Sequence, residues 1–138
     1  MGISDAVKYV GDNFVYKADN HPKIIGDTWQ VMKKKEDNKF YGDCDDFAIT
    51  CFWYYSDQSI IKFLLNLLIT HKFKLYRCKT ISGQYHVIGC VNDLYFDNWT
   101  RKALPKKQFF SNTKHRITMR YIGPIIAYFM FCGLLFDK

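Results

Sequence analysis

A chain of 138 residues and 16.4 kDa is the length of one domain and too short for two cores, so a single domain is expected. Hydrophobic residues make up 49% of it and aromatics 18%, with 12 Phe and 10 Tyr, enough apolar surface to offset the entropy of ordering; a disordered chain is excluded. The formal charge of +7 favours anionic surfaces without choosing among nucleic acid, cell-wall polymers and lipid headgroups.

In chain order, Ser4 or Asp5 is a candidate cap for a first helix that would set Val7, Val10, Phe14 and Val15 near one face and stop before His21-Pro22. A second segment starts near Asp27 or Thr28 and carries Trp29 and Met32 ahead of the polar stretch 33–39. Lys33-Lys34-Lys35, followed at once by Glu36 and Asp37, reads as a solvated face, as does Lys106-Lys107 beside Pro105, so specific nucleic-acid recognition is not expected. Gly42 breaks the pattern. From Cys44 to about Tyr55 the spacing of Phe47, Cys51 and Tyr54 or Tyr55 predicts a helix with Cys44 in its first turn. Ser59 would cap a further helix to Leu68 or Thr70, apolar nearly all round and therefore expected in the interior.

From Lys74 the period changes. Lys74 to Ile81 alternates loosely, 82–84 is a turn, Tyr85 to Val91 is β-branched and apolar, and Asn92-Asp93 turns the chain into Leu94 to Asp97, which predicts an antiparallel meander. Arg116 to Ile122 reads as a last strand with Ile117, Met119 and Tyr121 on one face. Residues 121–136 carry no charge, yet fall short of the ~20 apolar residues of a bilayer span. A core strand or helix is expected there, with a membrane-surface or partner-docking segment as the alternative.

The five cysteines, 44, 51, 78, 90 and 132, form no CxxC pair or spacing ladder, so neither a disulfide framework nor a zinc knuckle is indicated. Met1 to Val10 carries Asp5 and Lys8 and lacks the apolar core of a secretory signal; the expected location is the cytoplasm of the host cell or, for a phage product, the virion.

A thiol attacks only as the thiolate, and a helix start favours that form through its unpaired N–H groups. Cys44, after Gly42 and at a predicted helix start, fits this demand, whereas Cys51, Cys78, Cys90 and Cys132 lie in apolar segments and read as buried structural thiols. Asp43, Asp45 and Asp46 bracket Cys44, a polar setting unusual for a core thiol, and also suit helix capping. A thiol–imidazole pair needs a histidine delivered by the fold and a third group to fix its tautomer. His86 opens an apolar strand, and a hairpin through Asn92-Asp93 would set Asp97 beside it. His21, His71 and His115 read as surface residues.

Taken together, Trp29, the run Gly42-Asp43-Cys44-Asp45-Asp46-Phe47-Ala48, then Tyr85-His86-Val87-Ile88 and Phe96-Asp97-Asn98 resemble the bacterial transglutaminase-like cysteine peptidases over roughly Asp27 to Asn98. The resemblance implies a papain-like α+β fold, in which N-terminal helices precede and a cysteine-bearing helix packs on an antiparallel sheet. It also implies a Cys44–His86–Asp97 triad that cleaves an amide bond through an acyl-enzyme. The backbone N–H of Cys44 would serve the oxyanion, with Trp29 or Tyr41 as a second donor, although core packing is the favoured role of Trp29. Some relatives bind calcium through acids at the positions of Asp43 and Asp45; helix capping is the favoured reading here, and no cofactor is required. Val87, the helix from Ser59 to Thr70 and the apolar C-terminal stretch depart from the family pattern. The style of the chain suggests a bacteriophage member.

The expected substrate is a protein or peptide, peptidoglycan crosslinks included. Acyl transfer to an amine and glutamine deamidation use the same triad. A non-catalytic scaffold or inhibitory protein, docking a virion component, a membrane or a host factor through its charge and 121–136, is the alternative outside enzymology.

Overall fold

Ile3, Ala6, Val7 and Val10 recur at helical spacing and bury one face of α1 (Ile3–Asp12). The computed structural model describes residues 1–17 and 29–136, with side chains to 134; His21-Pro22 and the expected start at Asp27 or Thr28 lie outside the described residues. Gly2, not Ser4 or Asp5, occupies the N-cap of α1, and no side chain caps it. Phe14 and Val15 do not extend the helical face. They belong to β1 (Phe14–Tyr16), which pairs in parallel with β2 (Phe40–Gly42), because two β-branched or aromatic residues after Asn13 leave the helix and find an edge to bond.

The central element is α2 (Cys44–Tyr55). Asp43 caps it in a reciprocal box: its carboxylate accepts from the Asp46 N–H while the Asp46 carboxylate accepts from the Asp43 N–H. Residues 45–52 are all buried, so this helix runs through the interior, with Phe52 stacked on Phe73 at 4.4 Å.

Its partner is a five-stranded antiparallel sheet, β3 (Lys74–Lys79), β4 (Tyr85–Val91), β5 (Leu94–Phe96), β6 (Leu104–Pro105) and β7 (Arg116–Tyr121), in the order β6-β5-β4-β3-β7. The meander predicted from 74–97 is its centre. Strand alternation sorts the side chains: Leu75, Val87, Val91 and Phe96 join the core with α2, while Cys78, Ile88, Cys90 and Tyr95 form a second core with Phe109 of α4 (Lys106–Thr113). Gly89 is where strand and ring approach most closely; a Cβ there would lie 2.6 Å from the Phe96 ring.

Ser59 does cap a helix, α3 (Ile60–Leu64), which continues as a π-helical turn over Leu65–Ile69. The expected burial is met only in part: Phe63 and Leu67 are buried and Leu68 packs half-buried against the core, while Ile60, Ile61, Leu64, Leu65 and Ile69 are exposed. Phe63 meets Trp53 and Phe73, and the π-helical turn meets the start of the C-terminal helix where the Leu67 backbone and Leu68 side chain lie against Gly123, which leaves the rest of the apolar circumference uncovered. The uncharged C-terminal stretch is α5 (Gly123–Phe136). Ile126 and Cys132 are buried, the Phe129 carbonyl accepts the Trp29 N–H, and Ile125, Tyr128, Phe131 and Leu134 face outward. Among the described residues no helix is long and apolar enough to cross a membrane. Ile117 and Met119 on the edge strand β7 stay exposed, and Tyr121 meets Trp29 edge-on at 4.9 Å.

Candidate active site

Cys44 is the first residue of α2, where the cap predicts it, and is partly buried. Its sulfur accepts backbone N–H groups from Val87 and Asp45. The Val87 contact sets the thiol against β4 one residue from His86. The expected acidification is not found. Burial first, then the charges of Asp45 and Asp43, push the thiol well above its ordinary value, and the two N–H donors only soften this. The helix start is real; desolvation and two carboxylates outweigh it.

On β4, His86 falls by alternation on the side of Ile88 and Cys90 and is buried. Asp97 follows β5, and the hairpin through Asn92-Asp93 brings its Oδ2 to 3.0 Å from His86 Nε2. The Thr100 N–H donates to Oδ1 at 2.7 Å. Arg101 braces this turn: Nε donates to the Asn98 carbonyl, and Nη1 donates to the carbonyls of Gly11 and Phe14.

His115, expected at the surface, is the correction with most consequence. It is buried, and its Nε2 also lies 3.0 Å from Asp97 Oδ2. Lys114, in a left-handed conformation, ends α4 and turns the chain so that the next residue points beneath the sheet rather than outward. Surrounding basic residues suggested solvent; the useful signal was Phe109 and Phe110 in the preceding helix, which must bury a face against the sheet. Trp99, 55% exposed, lids the cluster with its ring 4.7 Å from His86 and 5.2 Å from His115. Burial opposes ionisation of Asp97, yet hydrogen bonds from His115, His86 and Thr100 prevail and hold its carboxyl well below the usual range.

The other sequence candidates take lesser places. Trp29 is fully buried against Tyr121 and Phe129, in the core role favoured for it. Tyr41 donates its hydroxyl to Asp37. His71 is exposed; Cys51, Cys78, Cys90 and Cys132 are buried.

Two groups of potential metal ligands occur among the described residues: His86, Asp97 and His115, and Asp43, Asp45 and Asp46. In the second, Asp46 accepts from the N–H of Asp43 through Oδ2 and from that of Gln30 through Oδ1, and Asp43 Oδ1 accepts from Asp46. Calcium seeks roughly six to eight oxygens. Asp43, Asp45 and Asp46 bring three carboxylates within reach of one cation, a part of such a shell, while two of them also serve the helix cap.

A cysteine-bearing helix on an antiparallel sheet that carries a paired histidine and aspartate is the transglutaminase-like, papain-like α+β fold. Among solved structures, Legionella pneumophila LapG shares it: one structure matches with a TM-score of 0.55 at 14% identity, and the calcium-bound form with 0.52 at 15%. Each match covers 86% of this chain but only 61% and 62% of LapG, so the chain spans about three fifths of the structures it resembles. No protein-family model matches the sequence, and no curated protein does. Calcium is compatible with the fold as LapG carries it.

Proposed function

We propose that the protein is a cysteine hydrolase that cleaves an amide bond in a peptide or protein, with Cys44 as nucleophile, His86 as base and Asp97 as the group that orients it. The observation that carries this reading is the buried 3.0 Å contact of His86 Nε2 with Asp97, one residue from the backbone N–H that meets the Cys44 sulfur. An ionised Asp97 only accepts, so His86 donates to it from Nε2–H and presents Nδ1 for the thiol proton.

Burial and the charges of Asp45 and Asp43 favour the protonated thiol, so in this reading its proton passes to His86 Nδ1 as sulfur attacks the carbonyl carbon. The oxyanion meets the Cys44 N–H, one of the donors a helix start leaves without an intrahelical partner. The imidazolium returns the proton to the leaving amine, the C–N bond breaks, and water, deprotonated by His86, releases the acid from the thioester. Calcium enters none of these steps. The substrate we favour is a peptide or protein strand, peptidoglycan peptides included, met at the exposed Trp99.

Iodoacetamide labelling followed by peptide mapping tests the reading. Cys44 is expected to react ahead of the four buried cysteines, and His86→Ala to slow it about tenfold or more. Equal rates at all five thiols, unchanged by the substitution, would overturn it in favour of a scaffold.

A further inference from the structure

We infer that His115 is a positioning residue of the site: its Nε2–H fills the second acceptor direction of Asp97 Oδ2 and so fixes the carboxylate against which His86 is oriented. The inference rests on the Cys44–His86 reading above and extends it from three residues to four. Every acceptor direction in use on Asp97 is met from inside the protein, Oδ1 by Thr100 and Oδ2 by two imidazoles. The residue is completely buried, so no water stands ready to replace a missing donor.

Asp97, as an ionised acceptor, dictates the tautomer of both rings: each donates from Nε2. For His86 that frees Nδ1 for chemistry. For His115 it leaves Nδ1 buried without a partner among the described residues, an uncompensated polar atom that packing alone would not select. An apolar residue would fill the same space beside Phe109 and Trp99 without that cost. Among the described residues the contact to Asp97 is the one hydrogen bond of the His115 side chain, and it is what distinguishes histidine from leucine at this place.

Without this donor Oδ2 has one partner instead of two, and the carboxylate can rotate about its Thr100 anchor and carry His86 with it. The same three atoms are near enough to chelate a metal, but both nitrogen–oxygen separations are hydrogen-bond lengths, and a cation would take the Nε2 that orients His86.

The test compares wild type, His115→Leu and His115→Gln for the rate of Cys44 alkylation by iodoacetamide from pH 5 to 10, with urea unfolding in parallel. His115→Leu is expected to lower the His86-dependent rate about tenfold and shift its pH profile. His115→Gln, whose amide can still donate, is expected to restore the rate to within about threefold. Equal profiles in all three proteins overturn the inference, as does an equal loss in both variants that tracks stability alone. Should His115→Leu not fold, nitrogen-15 spectra of the wild-type histidines decide: both rings as Nε2–H tautomers, each perturbed by Asp97→Asn, support it. A proton on His115 Nδ1, or zinc uptake that removes both Nε2–H signals, overturns it. Failure of the base reading is separate: Cys44 alkylation would then ignore His86→Ala while the tautomers still report on His115.

Discussion

Two sets of aspartates flank the candidate site and act on it in opposite senses. Asp97 is buried and wrapped by His86, His115 and Thr100, so its charge is held and turned toward the imidazole. Asp43 and Asp45 sit on either side of Cys44 at the start of α2, where their charges press against the thiolate they would have to accompany. Identical side chains therefore hold the His86 imidazole in place and oppose ionisation of the Cys44 thiol. The difference is one of partners: a carboxylate that accepts from two imidazoles orients those rings, while one that caps a helix shapes the backbone and adds to the field.

The largest effect should come from breaking the first set. Asp97→Asn removes the charge and misdirects at least one of its donors, and is expected to lower amide hydrolysis about 10³-fold or more, read as new amine termini released from a peptide mixture. An unchanged rate would place Asp97 outside the chemistry. The same carboxylate carries a pH signature. Its folded-state value lies below the unfolded one, so its stabilisation is present above the ordinary carboxylate range and is lost as pH falls below it. Urea midpoints should decline on acidification in the wild type and less steeply in Asp97→Asn.

Phe52→Ala, which opens the core between α2 and the sheet, should cost about 3–5 kcal/mol in urea unfolding and leave the pH profile of Cys44 alkylation in place. A changed profile would mean that packing, not the aspartates, sets the thiol. The second set is probed by Asp45→Asn, which removes a charge beside the sulfur. Cys44 should then alkylate about 3- to 10-fold faster at neutral pH, since a lower pKa raises the thiolate fraction. Slower alkylation would reverse the sense assigned to that group. The smallest effect separates capping from charge: Asp43→Ala should lose about 1 kcal/mol in thermal unfolding, and Asp43→Asn almost nothing.

Local rules carried the sequence a long way toward this site. The run around Cys44, with an N-cap and a carboxylate three residues later, placed the cysteine at a helix start, and the 85–97 hairpin placed Asp97 against His86. Two things were not legible. The ionisation of Cys44 depends on how deeply α2 is packed, a tertiary quantity that a helix start cannot report. His115 comes from a different element, and only a left-handed turn at Lys114 brings it beneath the sheet. The segment from Ser59 misled for a related reason: an apolar circumference states what a helix can bury, not how many neighbours the fold supplies.

Arg101 ties these findings to the other end of the chain. Its guanidinium grips the carbonyls of Gly11 and Phe14, while its backbone N–H returns to the Asp97 carbonyl. The turn that carries the aspartate is thus moored to the end of the first helix and the strand after it, and a protein trimmed of its opening dozen residues would keep Cys44, His86 and Asp97 yet lose the Gly11 half of that mooring.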